Sequence, residues 1–264
     1  MERIERTGPV WRETEVVSQK RLAGDIYSMW IQADDVAAAA HAGQFLSLYT
    51  RDKSRLLPRP ISICEINREQ GRVRIVYRVA GAGTAEFSQY RPKDPVSLAG
   101  PFGNGFPTKQ KKPGQRAFLI GGGIGIPPML ELARELDGEK QIILGYRDEL
   151  FLNEELEAYG QVWLATENGS AGTRGNVMDV IRANSLTADV IYACGPTPML
   201  RAVKNYAAEQ GMECWLSLEE RMACGIGACL ACVCQSKEVD SHSHVKNKRI
   251  CKDGPVFAAW EVEL

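Results

Sequence analysis

Histidine is scarce, long apolar runs are missing, and neither sign of charge dominates. With three histidines in 264 residues, imidazole chemistry has little to work with. His41 reads as a surface or turn residue, and His242 and His244 form the one pair able to bind metal in the manner of a Rieske centre. No run of about 18 apolar residues occurs, so no transmembrane helix is expected. A net charge of −1 gives no basis for a nucleic-acid or anionic-membrane partner. The opening Met1-Glu2-Arg3-Ile4-Glu5-Arg6 is charged and lacks the apolar stretch of a signal peptide. The expected location is therefore the cytoplasm, where the eight cysteines are not expected to form disulfides. Internal repeats and low-complexity tracts are absent too.

What the chain does have is cysteine in a pattern. Cys224, Cys229 and Cys232 read as C-x4-C-x2-C, and Cys251 follows downstream. Three thiolates in one glycine-rich loop, with a fourth beyond, match the plant-type [2Fe–2S] spacing. The small residues of Ala223-Cys224-Gly225-Ile226-Gly227-Ala228 let the backbone curl around a cluster and aim its amides at sulfur. A structural zinc site is the competing reading, although zinc sites usually pair their cysteines in two separate C-x2-C knuckles. Cys64, Cys194 and Cys214 sit in apolar strand-like contexts and read as packing residues. Cys234 lies close enough to compete as a ligand, but the spacing is complete without it.

Around that loop the composition is ordinary for a globular protein, with 44% hydrophobic and 25% charged residues. The first hundred residues alternate short apolar runs with turn signals. Candidate strands begin at Glu15, Ile26, Phe45 and Arg72, which suggests a small antiparallel barrel. A polar stretch with a Pro-Gly pair, Thr108 to Gly114, marks a boundary. Beyond it, apolar runs at Ala117, Gln141, Gln161 and Asp189 alternate with helical stretches, the signature of a parallel α/β sheet. A last strand, Glu213 to Leu218, leads into the cysteine segment. Three units are expected: a barrel domain at 1–110, an α/β domain at 111–212 and a cluster module at 213–264.

Several loops have the chemistry to hold cofactors. Gly121 to Pro128 follows a buried strand and opens a helix, where bare amides can meet a pyrophosphate. Pro128 stands where the ordinary dinucleotide fingerprint, counted from Gly123, ends in glycine. Cys194-Gly195-Pro196 also links a strand to a helix, and two such loops form a nucleotide crevice. Each also reads as a plain turn when taken alone. In the first domain Arg59-Pro60-Ile61-Ser62 is expected between strands, its arginine suited to clamp a phosphate. Tyr77-Arg78 and Gly81-Ala82-Gly83-Thr84 add another arginine and another glycine turn within about 25 residues. This concentration favours an anionic cofactor.

Assembled, these motifs resemble the ferredoxin–NADP reductase superfamily over the first 210 or so positions. The cysteine segment, from Leu218-Glu219-Glu220-Arg221-Met222 to Cys251-Lys252-Asp253-Gly254-Pro255, resembles electron-transfer subunits of class 1B dihydroorotate dehydrogenases. The resemblance implies a flavin-binding antiparallel barrel, an α/β nucleotide-binding domain and a small C-terminal [2Fe–2S] module. It implies FAD on Arg59, Pro60, Ile61, Ser62, Val76, Tyr77, Arg78, Gly83 and Thr84, and NAD beside Gly123, Gly125, Cys194, Gly195 and Pro196. The cluster would be held by Cys224, Cys229, Cys232 and Cys251. It further implies an FMN-containing catalytic partner that oxidises dihydroorotate, two of each chain in a heterotetramer, and a role in pyrimidine synthesis. No dihydroorotate site of its own is visible in the chain, and no catalytic residue is assigned. Two departures stand out: the polar stretch around His242 and His244 lengthens the gap before Cys251, and Glu167-Asn168-Gly169-Ser170 stands where relatives tend to carry an acidic pair. The alternatives are a reductase serving an oxygenase, sulfur or ferredoxin system and, outside enzymes, a zinc-stapled module that senses nucleotide.

Overall fold

A closed barrel and an open sheet share the chain. The computed structural model describes residues 9–109, 114–241 and 243–264, so the 110/111 boundary, the opening hexapeptide and His242 lie outside the described residues. The barrel contains β1 (Val10–Ala23), β2 (Ile26–Gln32), β3 (Phe45–Tyr49), β4 (Arg59–Asn67), β5 (Arg72–Arg78) and β6 (Pro95–Phe102), with short helices α1 (Asp34–Ala39) and α2 (Ala82–Phe87) between them. Its antiparallel order is β1-β2-β5-β4-β3-β6, and β6 closes back on β1. Alternation along the strands sends Val16, Met29, Ile31, Leu46, Leu48, Ile63 and Ile75 inward, which fills the barrel with apolar, mostly branched side chains.

The second unit runs β7 (Ala117–Gly122), α3 (Pro127–Glu135), β8 (Lys140–Tyr146), α4 (Asn153–Glu157), β9 (Gln161–Thr166), β10 (Thr173–Arg174), α5 (Val177–Ala183), β11 (Val190–Cys194), α6 (Thr197–Gln210) and β12 (Glu213–Ser217). These strands are parallel in the order β10-β9-β8-β7-β11-β12. Helices cover both faces, so β7 is buried at every position. The chain leaves β7 toward β8 and later returns to its other side at β11. That reversal is the switch point at which open α/β sheets bind ligands.

The cysteine segment adds β13 (Val233–Gln235), β14 (Asn247–Arg249) and β15 (Val256–Ala258). The first two pair as a small ribbon, while β15 runs antiparallel along the edge of β12. Glu213–Ser217 and Val256–Ala258, taken from the sequence as part of the cluster module, thus lie in the seven-stranded sheet. One core cluster joins all three units, uniting Phe45 and Phe102 of the barrel, Ile120 and Ile191 of the sheet, and Cys232 and Cys251.

Arg59-Pro60-Ile61-Ser62 does not lie between strands but opens β4. Proline is tolerated there because β4 has a ladder partner only on its β3 side over these residues. Its pairing with β5 begins at Ile63↔Ile75. No helix among the described residues is long and apolar enough to cross a membrane.

Candidate functional site

The interrupted ladder makes the first half of the site. Beyond Ile63 and Ile75 the two strands part, since Val76–Arg78 pairs with β2 instead. Arg59–Ser62 and Val76–Arg78 therefore border one opening. Arg59 also reaches α2, where a Cβ on Gly83 would lie 2.1 Å from the arginine Nε. Glycine at 83 leaves room for the guanidinium, and the first turn of α2 offers amides without helical partners. Thr84 Oγ1 accepts from the amides of Ala80 (2.9 Å) and Gly81 (3.2 Å), fixing that turn. Arg59 has no carboxylate partner among the described residues, whereas Arg78 pairs with Asp25 at 3.3 Å. The Arg59 guanidinium donates to the Leu57 carbonyl, and its remaining donors beside open amides suit a phosphate. Side-chain roles divide unevenly here. Tyr77 points into the barrel, stacks on Tyr27 and donates to Gln19 Oε1 at 2.9 Å, so only its backbone borders the opening. Val76 packs toward the sheet.

The sheet supplies the second half. Gly123 has φ +54 and nothing within 4 Å of an added Cβ, so its backbone faces free space. Gly125 is different: a Cβ there would stand 2.3 Å from the Cys194 carbonyl oxygen. The loops after β7 and β11 touch at this point, and only glycine lets them. After Cys194, Gly195 and Pro196 line a cavity of about 320 Å³ shared with Glu219, Cys234 and Leu264. Burial pushes the Cys194 thiol up to about 12 against a hydrogen bond with Ser217, so the group stays protonated at neutral pH.

The cysteine loop completes the site. Its four proposed ligands form two contacting pairs, Cys224 with Cys229 and Cys232 with Cys251. Among the described residues no three His, Cys, Asp or Glu side chains gather as a single ion requires. Two pairs fit two irons, each taking two thiolates, better than one tetrahedral zinc. The Ala228 amide donates to Cys224 Sγ at 3.3 Å and the Cys251 amide to Cys232 Sγ at 3.4 Å. Burial opposes ionisation of Cys224, but donors from Ile226, Cys229 and Ala228 bring its thiol down to about 7. The hydrogen bond from Cys251 brings Cys232 down to about 6, and the same contact raises Cys251. Cys234 stands apart, with its Sγ on the Lys248 carbonyl at 3.6 Å and its thiol raised by burial to about 11. His244 is exposed.

Two features here escaped the sequence. Arg249, 6% exposed, donates to both carboxylate oxygens of Asp253 (3.0 and 3.2 Å) and to the Gly227 carbonyl at 3.3 Å. It thereby ties the return strand to the cysteine loop. Gly227, at φ +83, must be glycine because a Cβ would meet Lys252 at 2.8 Å. The loop is also fastened to the barrel, where Asn104 donates its amide to the Gly254 carbonyl at 2.6 Å and its Nδ2 to the Asp253 carbonyl at 2.9 Å.

Residues 219–263 match the iron-sulfur cluster binding domain of dihydroorotate dehydrogenase B. The chain is 45% identical over 255 residues to the dihydroorotate dehydrogenase B (NAD(+)) electron transfer subunit of Bacillus caldolyticus, covering 94% of this chain and 97% of that protein. The Geobacillus kaustophilus protein of the same name is 44% identical with the same coverage. Among solved structures, that of an NADH-dependent reduced ferredoxin-NADP oxidoreductase superposes with a TM-score of 0.83 at 28% identity, covering 95% of this chain and 89% of that one.

Proposed function

The chain belongs to the electron transfer subunits of NAD-dependent dihydroorotate dehydrogenase B, and on that premise we propose how its residues carry electrons between a catalytic partner subunit and NAD+. When bound, FAD exchanges a hydride pair with nicotinamide and single electrons with a [2Fe–2S] cluster, which makes it the converter between the two. Arg59, with Gly83 and Thr84 of α2, holds the flavin diphosphate. Pro60, Ile61 and Ser62, facing the backbone of Val76, Tyr77 and Arg78, border the ring. Gly123 admits the dinucleotide to the crevice, Gly125 keeps the two crevice loops in contact, and Cys194-Gly195-Pro196 walls its nicotinamide end. The Cys194 thiol, neutral at working pH, lets nicotinamide approach without facing a thiolate charge. Cys224, Cys229, Cys232 and Cys251 hold the cluster.

One observation carries this reading: the Cys232–Cys251 pair shares a core with Phe45 of β3 and Phe102 of β6, and β3 is the ladder partner of β4. The cluster loop and the flavin opening thus adjoin along one barrel wall. The units at 1–110, 111–212 and 213–264 divide the labour as flavin, nucleotide and cluster carriers, with β12 and β15 joining the last two. The partner holds FMN, oxidises dihydroorotate to orotate for pyrimidine synthesis, and assembles with this chain two to two in the cytoplasm. The purified chain should pass electrons from NADH to artificial acceptors and form no orotate until the catalytic subunit is added. Orotate production by the chain alone, or no stimulation by the partner, would refute this assignment.

A further inference from the structure

A buried hydroxyl stands unpaired at the seam between cluster loop and flavin wall. Ser47 lies in the middle of β3 and is 2% exposed. Its Oγ has no hydrogen-bond partner among the described residues. Leaving such a group unsatisfied is unfavourable, so its presence in a packed wall calls for a reason.

Its neighbours define where it points. Ser47 is paired with Pro60 of β4 and Ala99 of β6, and residues paired across strands share a face. Phe45 and Ser62 form the next such pair on that face. From the opposite side the cysteine loop closes over it. A Cβ added to Gly225 would stand 3.3 Å from Ser47 Oγ and 4.0 Å from the Phe102 ring. Gly225 directly follows Cys224, whose Sγ belongs to one of the two cysteine pairs. The hydroxyl therefore looks out beneath the first cluster ligand, from a strand whose neighbour borders the flavin opening.

We propose that Ser47 Oγ–H donates a hydrogen bond to a sulfur of the cluster and sets the cluster's reduction potential. The inference rests on the cluster assignment made above. Sulfur, not flavin, is the acceptor because the cysteine loop is what covers the hydroxyl, while the flavin side already has Ser62 on β4. A donor aimed at sulfur stabilises the extra negative charge of the reduced cluster and raises its potential. Glycine at 225 keeps side-chain atoms out of the gap between donor and cluster. Ser47 thus favours transfer into the cluster from the partner and holds the one-electron carrier within reach of the flavin couple.

The test uses the full chain loaded with FAD and iron–sulfur, in wild-type, Ser47→Ala and Ser47→Thr forms. Redox titration followed by electron paramagnetic resonance gives the cluster potential, and visible absorbance gives the flavin couple. Pulsed resonance after brief transfer to D2O, which labels hydroxyls ahead of buried amides, reads the hydroxyl deuteron directly in wild-type protein. With FAD, iron and sulfide contents unchanged, Ser47→Ala should make the cluster roughly tenfold harder to reduce at a given potential, about 59 mV for a one-electron couple. The deuteron coupling should vanish in that variant, and Ser47→Thr should restore both. An unchanged cluster potential, a shift confined to the flavin couple, or no deuteron coupling in wild-type protein would overturn the proposal. If wild-type protein lacks the reduced-cluster signal altogether, the cluster assignment fails before any variant is compared, and this inference fails with it.

Discussion

The parallel sheet and the cysteine loop place cofactor-facing atoms by opposite means. In the sheet, β7 and β11 are driven into position by burial, and their loops emerge at fixed points from strands that are buried almost throughout. The loop from Glu219 to Cys232 contains no helix or strand, and Ile226 within it is 60% exposed. Its shape comes from glycines, from Arg249 and from the amides gathered on Cys224 and Cys232. A sheet of that kind is stable without its ligand. A loop of that kind shares its folding free energy with the metal it binds.

The largest break in this contrast is expected at Arg249. Arg249→Met removes the guanidinium's two hydrogen bonds to Asp253, its ion pair with Asp240 and its bond to the Gly227 carbonyl. Asp253 is left with the Arg249 amide but without this cation, a change that costs about 3–5 kcal/mol when such a pair is buried. Iron should be lost to a chelator about 10–100-fold more readily, while flavin binding and the sheet's thermal transition change little. Measuring iron release beside flavin fluorescence would show it.

A mid-sized effect on the opposite side is expected at Glu131. This α3 carboxylate accepts from the Ile66 amide of the barrel at 2.9 Å and pairs with Arg134 at 3.0 Å. Glu131→Ala leaves a buried amide unpaired and should cost about 2 kcal/mol in urea unfolding with no change in cluster content. Burial holds this carboxyl above the usual glutamate range, against the Ile66 amide and Arg134, which lower it. A raised folded-state value means that its contribution is fully present below the unfolded value and is lost as pH rises through the folded one. Glu131→Gln, which keeps an acceptor for Ile66, should flatten that part of the stability–pH curve.

Thiol labelling offers a finer test. In iron-free protein, Cys224, at about 7, should be about half thiolate at pH 7 and react readily with iodoacetamide. Cys194 and Cys214, both near 12, and Cys234 near 11 should lag by orders of magnitude. Loading iron should protect Cys224 and leave the slow three unchanged, which mass spectrometry of the labelled peptides would reveal.

The same contrast explains what sequence could and could not tell. Strands β3, β7, β8, β9 and β11 are apolar runs long enough to announce themselves, and the two crevice loops after β7 and β11 carry their own glycine and proline punctuation. The cysteine spacing is local, so a candidate ligand set could be proposed without coordinates. Pro60 disguised the start of β4, because a proline reads as a turn unless one knows that the strand edge there is open. Pro95 and Gly100-Pro101 hid β6 in the same way. β13, β14 and β15 are three residues each and exist only through partners elsewhere in the fold. Arg249 and Ser47 carry no motif at all. Their meaning lies in the Gly227 carbonyl and in Gly225, contacts that no local pattern encodes.

Cys224, Cys229, Cys232 and Cys251 as ligands of a two-iron cluster against the flavin wall remain the foundation of the whole reading. Dithionite-reduced protein, frozen and examined by electron paramagnetic resonance alongside iron and acid-labile sulfide assays, addresses it in one sample. A rhombic signal with two irons and two sulfides per chain is the expected result. A metal-loaded protein that contains zinc, lacks sulfide and gives no signal would contradict it.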